Sequence, residues 1–241
     1  SGHEPAHVGF IGKGMLTAAV CGDLFASPSV DAVLTAIQAV TGEAGCLLIV
    51  KNYTGDRLNF GLAAEKARRL GYNVEMLIVG DDISLPDNKQ PRGIAGTILV
   101  HKMAGYFAER GFNLATVLRE AQYAANNTFS LGVALSSCHL PQEAESAPRH
   151  QPGHAELGMG IHGEPGASTI ATHNSAEIMQ IMVEKLTAAL PETGRLAVML
   201  NNLGGVSVAE MAILTRELAN TPLHARVDWL IGPASLVTAL G

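Results

Sequence analysis

Short, mostly apolar runs recur along the chain, and each has Gly, Asn or Asp at or near one end. Runs of at most six residues with such boundaries are typical of buried strands. The pattern therefore predicts five strands, at residues 46–50, 74–79, 130–135, 196–200 and 229–231.

The segments between these runs have helical spacing. In the first of them, Val33, Ile37 and Val40 recur at intervals of three or four residues. The second ends at Gly71, a favourable C-terminal residue, and has two arginines in its last turn. Six helices are predicted, at residues 30–40, 60–70, 97–108, 114–125, 176–189 and 208–219. Alternating strands and helices predict an α/β fold with a largely parallel sheet.

One boundary stands out in the sequence. Residues 139–153 contain three prolines and few apolar side chains, which is typical of a loop or linker. The sequence thus predicts a first α/β subdomain at 1–138, a linker at 139–153 and a second α/β subdomain at 154–241.

Composition narrows the classes of function. With 47% hydrophobic residues the 241-residue chain can bury a sizeable core, whereas a net charge of −6 and 5% aromatic residues disfavour nucleic acid as a partner. The longest apolar runs are too short to span a membrane. The three cysteines are far apart and in apolar settings, and the chain opens without a secretory signal, so we expect reduced thiols and a cytoplasmic protein.

Polar turns follow most of the predicted strands, at the end where open parallel sheets bind their ligands. Lys51–Asp56 combines Lys, Asn, Thr and Asp, more polar groups than a simple packing turn needs. The alternative interpretation is an ordinary helix start, with Asp56 as a carboxylate of the first turn. Similar turns lie at Gly80–Asp82, Ser136–Cys138 and Asn201–Gly205.

Two further segments resemble each other, because both place a histidine beside glycine and close to Glu-Pro. They contain His3 and His162. Glycine allows a ligand to approach the backbone and proline stiffens the loop, so these histidines favour contact with a small molecule over helix packing. The histidines at 101, 150, 154, 173 and 224 are expected at the solvated surface.

Several motifs are excluded by their context. Residues 3–7 fit H-E-x-x-H, but Gly2 and Pro5 argue against the continuous helix that this zinc motif needs, and we expect no metal site. Gly12-Lys13-Gly14 lacks the first glycine and the Ser/Thr of a phosphate-binding loop, and no Rossmann glycine motif is present. The chain therefore has no recognisable nucleotide site of its own.

Four segments in this order resemble the substrate-binding K domain of dihydroxyacetone kinases, most closely the ATP-dependent bacterial type. They are SGHEPAHVGFIGKGMLTAAVCGD (1–23), KNYTGDRLNF (51–60), GMGIHGEPG (158–166) and NNLGG (201–205). The resemblance covers essentially the whole chain. It implies two α/β parts, a three-layer one with a parallel sheet and a smaller two-layer one with a mixed sheet, related to DegV-like folds, and a homodimer.

The resemblance also implies a mechanism and a set of site residues. The family's covalent histidine, which forms a hemiaminal with the carbonyl of dihydroxyacetone, corresponds to His162. Its second, acid/base histidine corresponds to His3, and the aspartate that accepts the substrate proton corresponds to Asp56. The further substrate-binding positions implied are Ser1, Gly2 and Lys51.

The resemblance further implies glycerone kinase activity in glycerol metabolism, possible use of glyceraldehyde, and Mg-ATP bound by a separate L domain. The sequence then represents a piece of a K domain without its L domain. Two alternatives stay open: a non-catalytic regulator that binds carbonyl sugars, and a kinase subunit that takes phosphate from a phosphoprotein. A regulator would not need Asp56, which favours the enzyme.

Overall fold

A computed structural model describes residues 1–85, 88–135, 153–162, 166–172 and 174–239. The chain divides into two compact units. Unit 1 comprises Ser1–Asp81 and Lys89–Thr128, and unit 2 comprises Asp82–Asn88 and Phe129–Gly241.

Unit 1 has helices on both faces of a parallel strand pair. The strands are β1 (Cys46–Lys51) and β2 (Val74–Val79), paired from Cys46 opposite Val74 to Lys51 opposite Val79. The helices are α1 (Val30–Val40), α2 (Thr54–Arg69), α3 (Thr97–Glu109) and α4 (Leu114–Asn126).

The two faces of β2 explain this layering. Val74 packs in a core cluster with residues of α1 and α2, whereas Leu77 and Val79 pack in another with residues of α3 and α4. Successive strand residues point to opposite faces, so an uninterrupted apolar strand needs a helical layer on each side. Unit 1 is therefore a three-layer α/β structure.

Unit 2 combines an antiparallel and a parallel sheet. Strands β3 (Val133–Ala134), β4 (His154–Leu157) and β5 (Ser168–Ala171) pair antiparallel in that order. Strands β6 (Leu196–Asn201) and β7 (Val227–Ala234) pair in parallel. Helices α5 (Ser175–Ala189) and α6 (Val208–Ala219) pack with β6 around a core that includes Met179, Val183 and Leu218.

The predicted α/β class with parallel sheets is confirmed, with local differences. Helix α2 begins at Thr54 rather than at residue 60, because its first turn is polar and lacks the apolar periodicity on which the prediction relied. Strands β4 and β5 were not predicted: each has only four residues, two of them polar, so neither forms an apolar run.

The division of the chain also differs from the predicted boundaries. The sequence placed residues 130–135 in the first subdomain, whereas β3 pairs with β4 inside unit 2. Residues 139–152 of the predicted linker, with Ser136–Cys138, His150 and His173, lie outside the described residues. Within the described part of the chain, no helix is both long and apolar enough to cross a membrane.

Candidate active site

The turn from β1 to α2 holds the Lys51–Asp56 motif in a fixed conformation. The Asn52 backbone N–H donates to the Val79 carbonyl at 2.9 Å, and its side-chain Nδ2 donates to the Pro91 carbonyl at 2.7 Å. Asp56 lies half-buried in the first turn of α2, where the helix dipole favours a carboxylate. The turn thus places Lys51 at the carboxyl end of β1 and Asp56 at the start of the next helix.

Lys51 is buried without a hydrogen-bond partner for its Nζ among the described residues. Burial lowers the pKa of its ammonium group to about 8, and the nearby charges of Asp81 and Asp56 act in the opposite direction. A buried donor that no protein group satisfies is costly. We therefore expect an oxygen atom of a bound ligand to accept a hydrogen bond from Lys51 Nζ.

Asp81 supplies the main charge that compensates Lys51. Its side chain is only 1% exposed and accepts backbone hydrogen bonds from Ile94 and Gly96, both at 2.8 Å. A Cβ atom on Gly96 would lie 2.5 Å from Asp81 Oδ2. Glycine at 96 is therefore needed for this close approach.

The first testable consequence concerns Asp81→Asn. Because Asp81 raises the pKa of Lys51, its neutralisation should lower that pKa below about 8, so that Lys51 loses its proton at a lower pH. Titration followed by NMR of isotope-labelled lysine side chains measures this directly. Asp31→Asn, which removes an exposed carboxylate in the first turn of α1, should leave the titration of Lys51 unchanged; an equal effect of both variants would contradict the assignment.

The N-terminal turn is built around Gly2. Gly2 has φ +106, a conformation that L side chains rarely adopt, and its N–H donates to Glu4 Oε2 at 2.9 Å. A Cβ atom here would lie 2.6 Å from the Phe25 ring. Ser1 is held by its Oγ, which donates to the Gly22 carbonyl at 3.0 Å, and its own carbonyl accepts from the Phe25 N–H.

His3 stacks on Phe25, with ring centroids 4.9 Å apart and an interplanar angle of 23°. Residues 3–7 form turns rather than a helix, so the geometry of the zinc-protease motif is not formed here. Among the described residues, no group of three His, Cys, Asp or Glu side chains is arranged to hold a metal ion.

The prediction that His101 lies at the solvated surface is wrong. His101 is 3% exposed, and its Nε2 lies 2.9 Å from Nδ1 of His7. Burial, followed by the Lys51 charge, lowers its pKa to about 3. The helical spacing could have revealed this, because Thr97 and Ala104, four residues before and three after, are buried on the same face.

His7 connects the two sequence motifs of unit 1. Burial, followed by the charges of Lys51, His101 and His3, lowers its pKa well below the usual value. Residues of the Lys51–Asp56 motif and of the N-terminal motif that contains His3 therefore both lower the pKa of His7. Of the six predicted site residues, unit 1 contains five: Ser1, Gly2, His3, Lys51 and Asp56.

His162 belongs to unit 2, on the loop that joins β4 to β5. It is half-buried and follows the buried Met159 and Ile161. The loop starts at Gly158, whose φ of +77 and close approach to Ser84 leave no room for a side chain. Residues 163–165 of the motif lie outside the described residues.

The Asn201–Gly205 turn has a structural explanation. Asn201 Oδ1 accepts from the N–H groups of Leu236 and Val237, and its Nδ2 donates to the Val237 carbonyl. Asn202 likewise bonds to the backbone of Gly204 and Val206. These amides fix the end of β6, so the structure gives them a role in the fold.

With this geometry in place, comparison with known proteins assigns the family. The Dak1 domain model matches residues 1–230. The chain belongs to the Dak1 family. It is 90% identical over 240 residues to the dihydroxyacetone kinase of Citrobacter freundii, covering 100% of this chain and 44% of that protein. The chain thus spans less than half the length of this relative.

Solved structures show the same likeness. The native crystal structure of the Citrobacter freundii dihydroxyacetone kinase matches with a TM-score of 0.97, over 100% of this chain and 44% of that one. A second structure of that kinase contains AMP-PNP and Mg2+. A DegV family protein from Thermus thermophilus, 13% identical with a TM-score of 0.50 over 86% of this chain and 70% of that one, shares the fold alone.

Two further relatives are named for other roles. A dihydroxyacetone-binding subunit, DhaK, of a PTS-dependent kinase from Listeria innocua is 40% identical, covering 95% of this chain and 71% of that protein. The operon co-activator DhaQ is 33% identical with a TM-score of 0.93, covering 99% of this chain and 76% of that one.

Proposed function

We propose that this chain is the substrate-binding part of a dihydroxyacetone kinase, which transfers a phosphoryl group from Mg-ATP to dihydroxyacetone. The observation that carries the proposal is 90% identity along the whole chain to a protein of that name. The crystal structure of that relative with AMP-PNP and Mg2+ supports ATP as the phosphoryl donor. This chain has no recognisable nucleotide motif, so we assign Mg-ATP to an L domain outside it.

Under this proposal His162 holds the substrate covalently. The unprotonated ring nitrogen of His162 attacks the carbonyl carbon of dihydroxyacetone and the C=O π bond opens to an alkoxide. The alkoxide takes up a proton and the other ring nitrogen gives one up, so that a neutral hemiaminal results. The unprotonated nitrogen of a neutral imidazole carries the lone pair that this attack requires. A three-carbon substrate has few atoms with which to gain binding energy, so a reversible covalent bond adds affinity that contacts alone would not supply.

The remaining site residues orient the substrate and move its protons. Asp56 accepts the proton of a terminal hydroxyl while that oxygen attacks the γ-phosphorus atom of ATP, the bond from the γ-phosphorus to the β–γ bridging oxygen breaks, and ADP leaves. His3 hydrogen-bonds the substrate oxygens and assists proton transfer. The buried ammonium of Lys51 and the turn at Ser1 and Gly2 bind substrate oxygens, consistent with the unpartnered Nζ of Lys51 among the described residues.

The covalent step also explains substrate selection. Glycerol has similar hydroxyl groups but no carbonyl, so it forms no hemiaminal. Glyceraldehyde has a carbonyl and is a possible second substrate. The family resemblance further supports a homodimer that acts in the cytoplasm in glycerol metabolism.

Two other functions have specific relatives behind them. The co-activator DhaQ represents a non-catalytic regulator, and the Listeria innocua subunit represents a PTS-dependent kinase. Both are less similar to this chain than the Citrobacter freundii kinase, at 33% and 40% against 90% identity. We therefore favour the ATP-dependent enzyme.

The test combines a crystal soak with an activity assay. Crystals soaked with dihydroxyacetone should show continuous density from a His162 ring nitrogen to the substrate carbon, whereas a glycerol soak should show none. In solution, this chain with ATP, Mg2+ and dihydroxyacetone should give no phosphorylated product until an L domain is added. Product formed without an L domain would contradict the assignment of the nucleotide site, and a substrate bound away from His162 would contradict the covalent role.

A further inference from the structure

One face of α3 is formed by His101, Gly105 and Glu109. Residues four apart lie on the same side of a helix, so these three positions form a continuous line along α3. We refer to them as the α3 stripe. Each contacts the N-terminal segment, residues 1–16, which carries His3.

The middle and far end of the α3 stripe meet the segment at Gly14 and Lys13. A Cβ atom on Gly105 would lie 2.5 Å from the carbonyl carbon and oxygen of Gly14, so the two backbones are in close contact. At the far end, Lys13 Nζ lies 3.4 Å from Glu109 Oε1. The lysine side chain is 88% exposed, and an ion pair this exposed to solvent contributes little stability.

The near end of the stripe, His101, is different because its side chain is buried. His101 Nε2 and His7 Nδ1 are 2.9 Å apart, with the two rings at 82°. Burial and the Lys51 charge lower the pKa of both imidazoles, so both are neutral at physiological pH. Each neutral imidazole has one N–H donor and one acceptor nitrogen, so one ring can donate a hydrogen bond to the other.

The surroundings of His101 assign the tautomers. Its Nδ1 is buried and has no hydrogen-bond partner among the described residues. A buried N–H without an acceptor is rare in folded proteins, so the proton of His101 belongs on Nε2. His101 then donates to His7 Nδ1, and His7 carries its own proton on Nε2.

His7 is also linked to His3 through the backbone. The Ala6 N–H donates to the His3 carbonyl at 3.0 Å, which closes a turn between the two histidines. A shift of His7 away from α3 would therefore move the residue that we expect to contact substrate.

We propose that His101 is a positioning residue for the substrate-binding turn: its hydrogen bond to His7 fixes residues 2–7 on α3 and thereby sets the position of the His3 imidazole. The inference rests on the proposed function only in assigning His3 a role in phosphoryl transfer. The anchoring of the turn itself rests on the contacts within unit 1.

The kinetic test uses His101→Phe and His101→Gln in this chain combined with an L domain. Phenylalanine keeps a ring but removes the hydrogen bond. We expect kcat to fall about 10- to 100-fold, because small displacements of reacting groups lower reaction rates by such factors. The Kd for dihydroxyacetone should change less than about twofold, because the covalent link to His162 dominates affinity. Glutamine retains an amide N–H near the position of Nε2 and should restore part of kcat.

The matched control is Glu109→Gln at the other end of the α3 stripe. It removes only the exposed pair with Lys13 and should leave kcat at the wild-type value. If His101→Phe fails to fold, Gly105→Ala displaces the same segment without touching either histidine, and a comparable fall in kcat is expected. Wild-type kcat in a folded His101→Phe or Gly105→Ala variant, or failure of His101→Gln to restore any activity, would overturn the proposal.

A structural readout separates this inference from the proposed function. In the chain alone, 15N NMR should show His101 and His7 each protonated at Nε2, and His101→Phe should shift the ring signals of His3 and Phe25. If the wild type had no kinase activity but these shifts occurred, the proposed function would fail while the anchoring would hold. Unchanged His3 and Phe25 signals in a folded His101→Phe variant would refute the anchoring whatever the activity.

Discussion

Asp56→Asn, in this chain combined with an L domain, is expected to reduce the formation of dihydroxyacetone phosphate by about 10²- to 10⁴-fold, the range that loss of a general base produces. The amide occupies the same volume but does not accept the substrate proton. Hemiaminal formation at His162 does not use this carboxylate, so the variant should still bind dihydroxyacetone. Steady-state assays measure the first effect, and calorimetry with dihydroxyacetone measures the second.

Asp31→Asn is the matched control, because Asp31 lies in the first turn of α1 as Asp56 does in α2. Both variants lose the favourable interaction of a carboxylate with the N-terminus of a helix, roughly 0.3–1 kcal/mol. Only Asp56→Asn should lose turnover. If its turnover stayed within a few-fold of the control, Asp56 would be only a carboxylate of the first helical turn, as the alternative interpretation of the sequence holds.

The sequence predicts the strand pair of unit 1 well because both of its faces are covered by helices. Strand β2 has the predicted bounds, Val74–Val79, and β1 differs from its prediction by one residue. A strand covered on both faces is apolar throughout, and that signal is local. The short strands β4 and β5 lack it, because each has only four residues and two of the four are polar.

In the candidate site, one feature has a local sequence pattern and another does not. The turn after β1 is polar beyond what packing requires, and this local pattern is what makes Lys51 and Asp56 candidate site residues. The hydrogen-bonded His7–His101 pair joins residues 94 positions apart. No local pattern encodes that contact, although the helical spacing around His101 does indicate a buried position.

His162→Ala is expected to raise the Kd for dihydroxyacetone at least about tenfold, a loss of about 1.4 kcal/mol. It should also remove most of the preference for dihydroxyacetone over glycerol. Without the imidazole, both molecules bind through hydroxyl contacts alone, so the carbonyl no longer confers an advantage. Calorimetric titration of the variant with each compound measures both effects.

His224→Ala provides the control, because it removes an exposed histidine of unit 2 in the 3-10 helix Pro222–Arg226. It should bind dihydroxyacetone as the wild type does and keep the discrimination against glycerol. A combined variant, His162→Ala with Asp56→Asn, should bind dihydroxyacetone no better than His162→Ala alone. If His162→Ala retained wild-type affinity and selectivity, the substrate would be held by contacts and not by a carbon–nitrogen bond, and the roles proposed for His162 and for the substrate carbonyl would both be wrong.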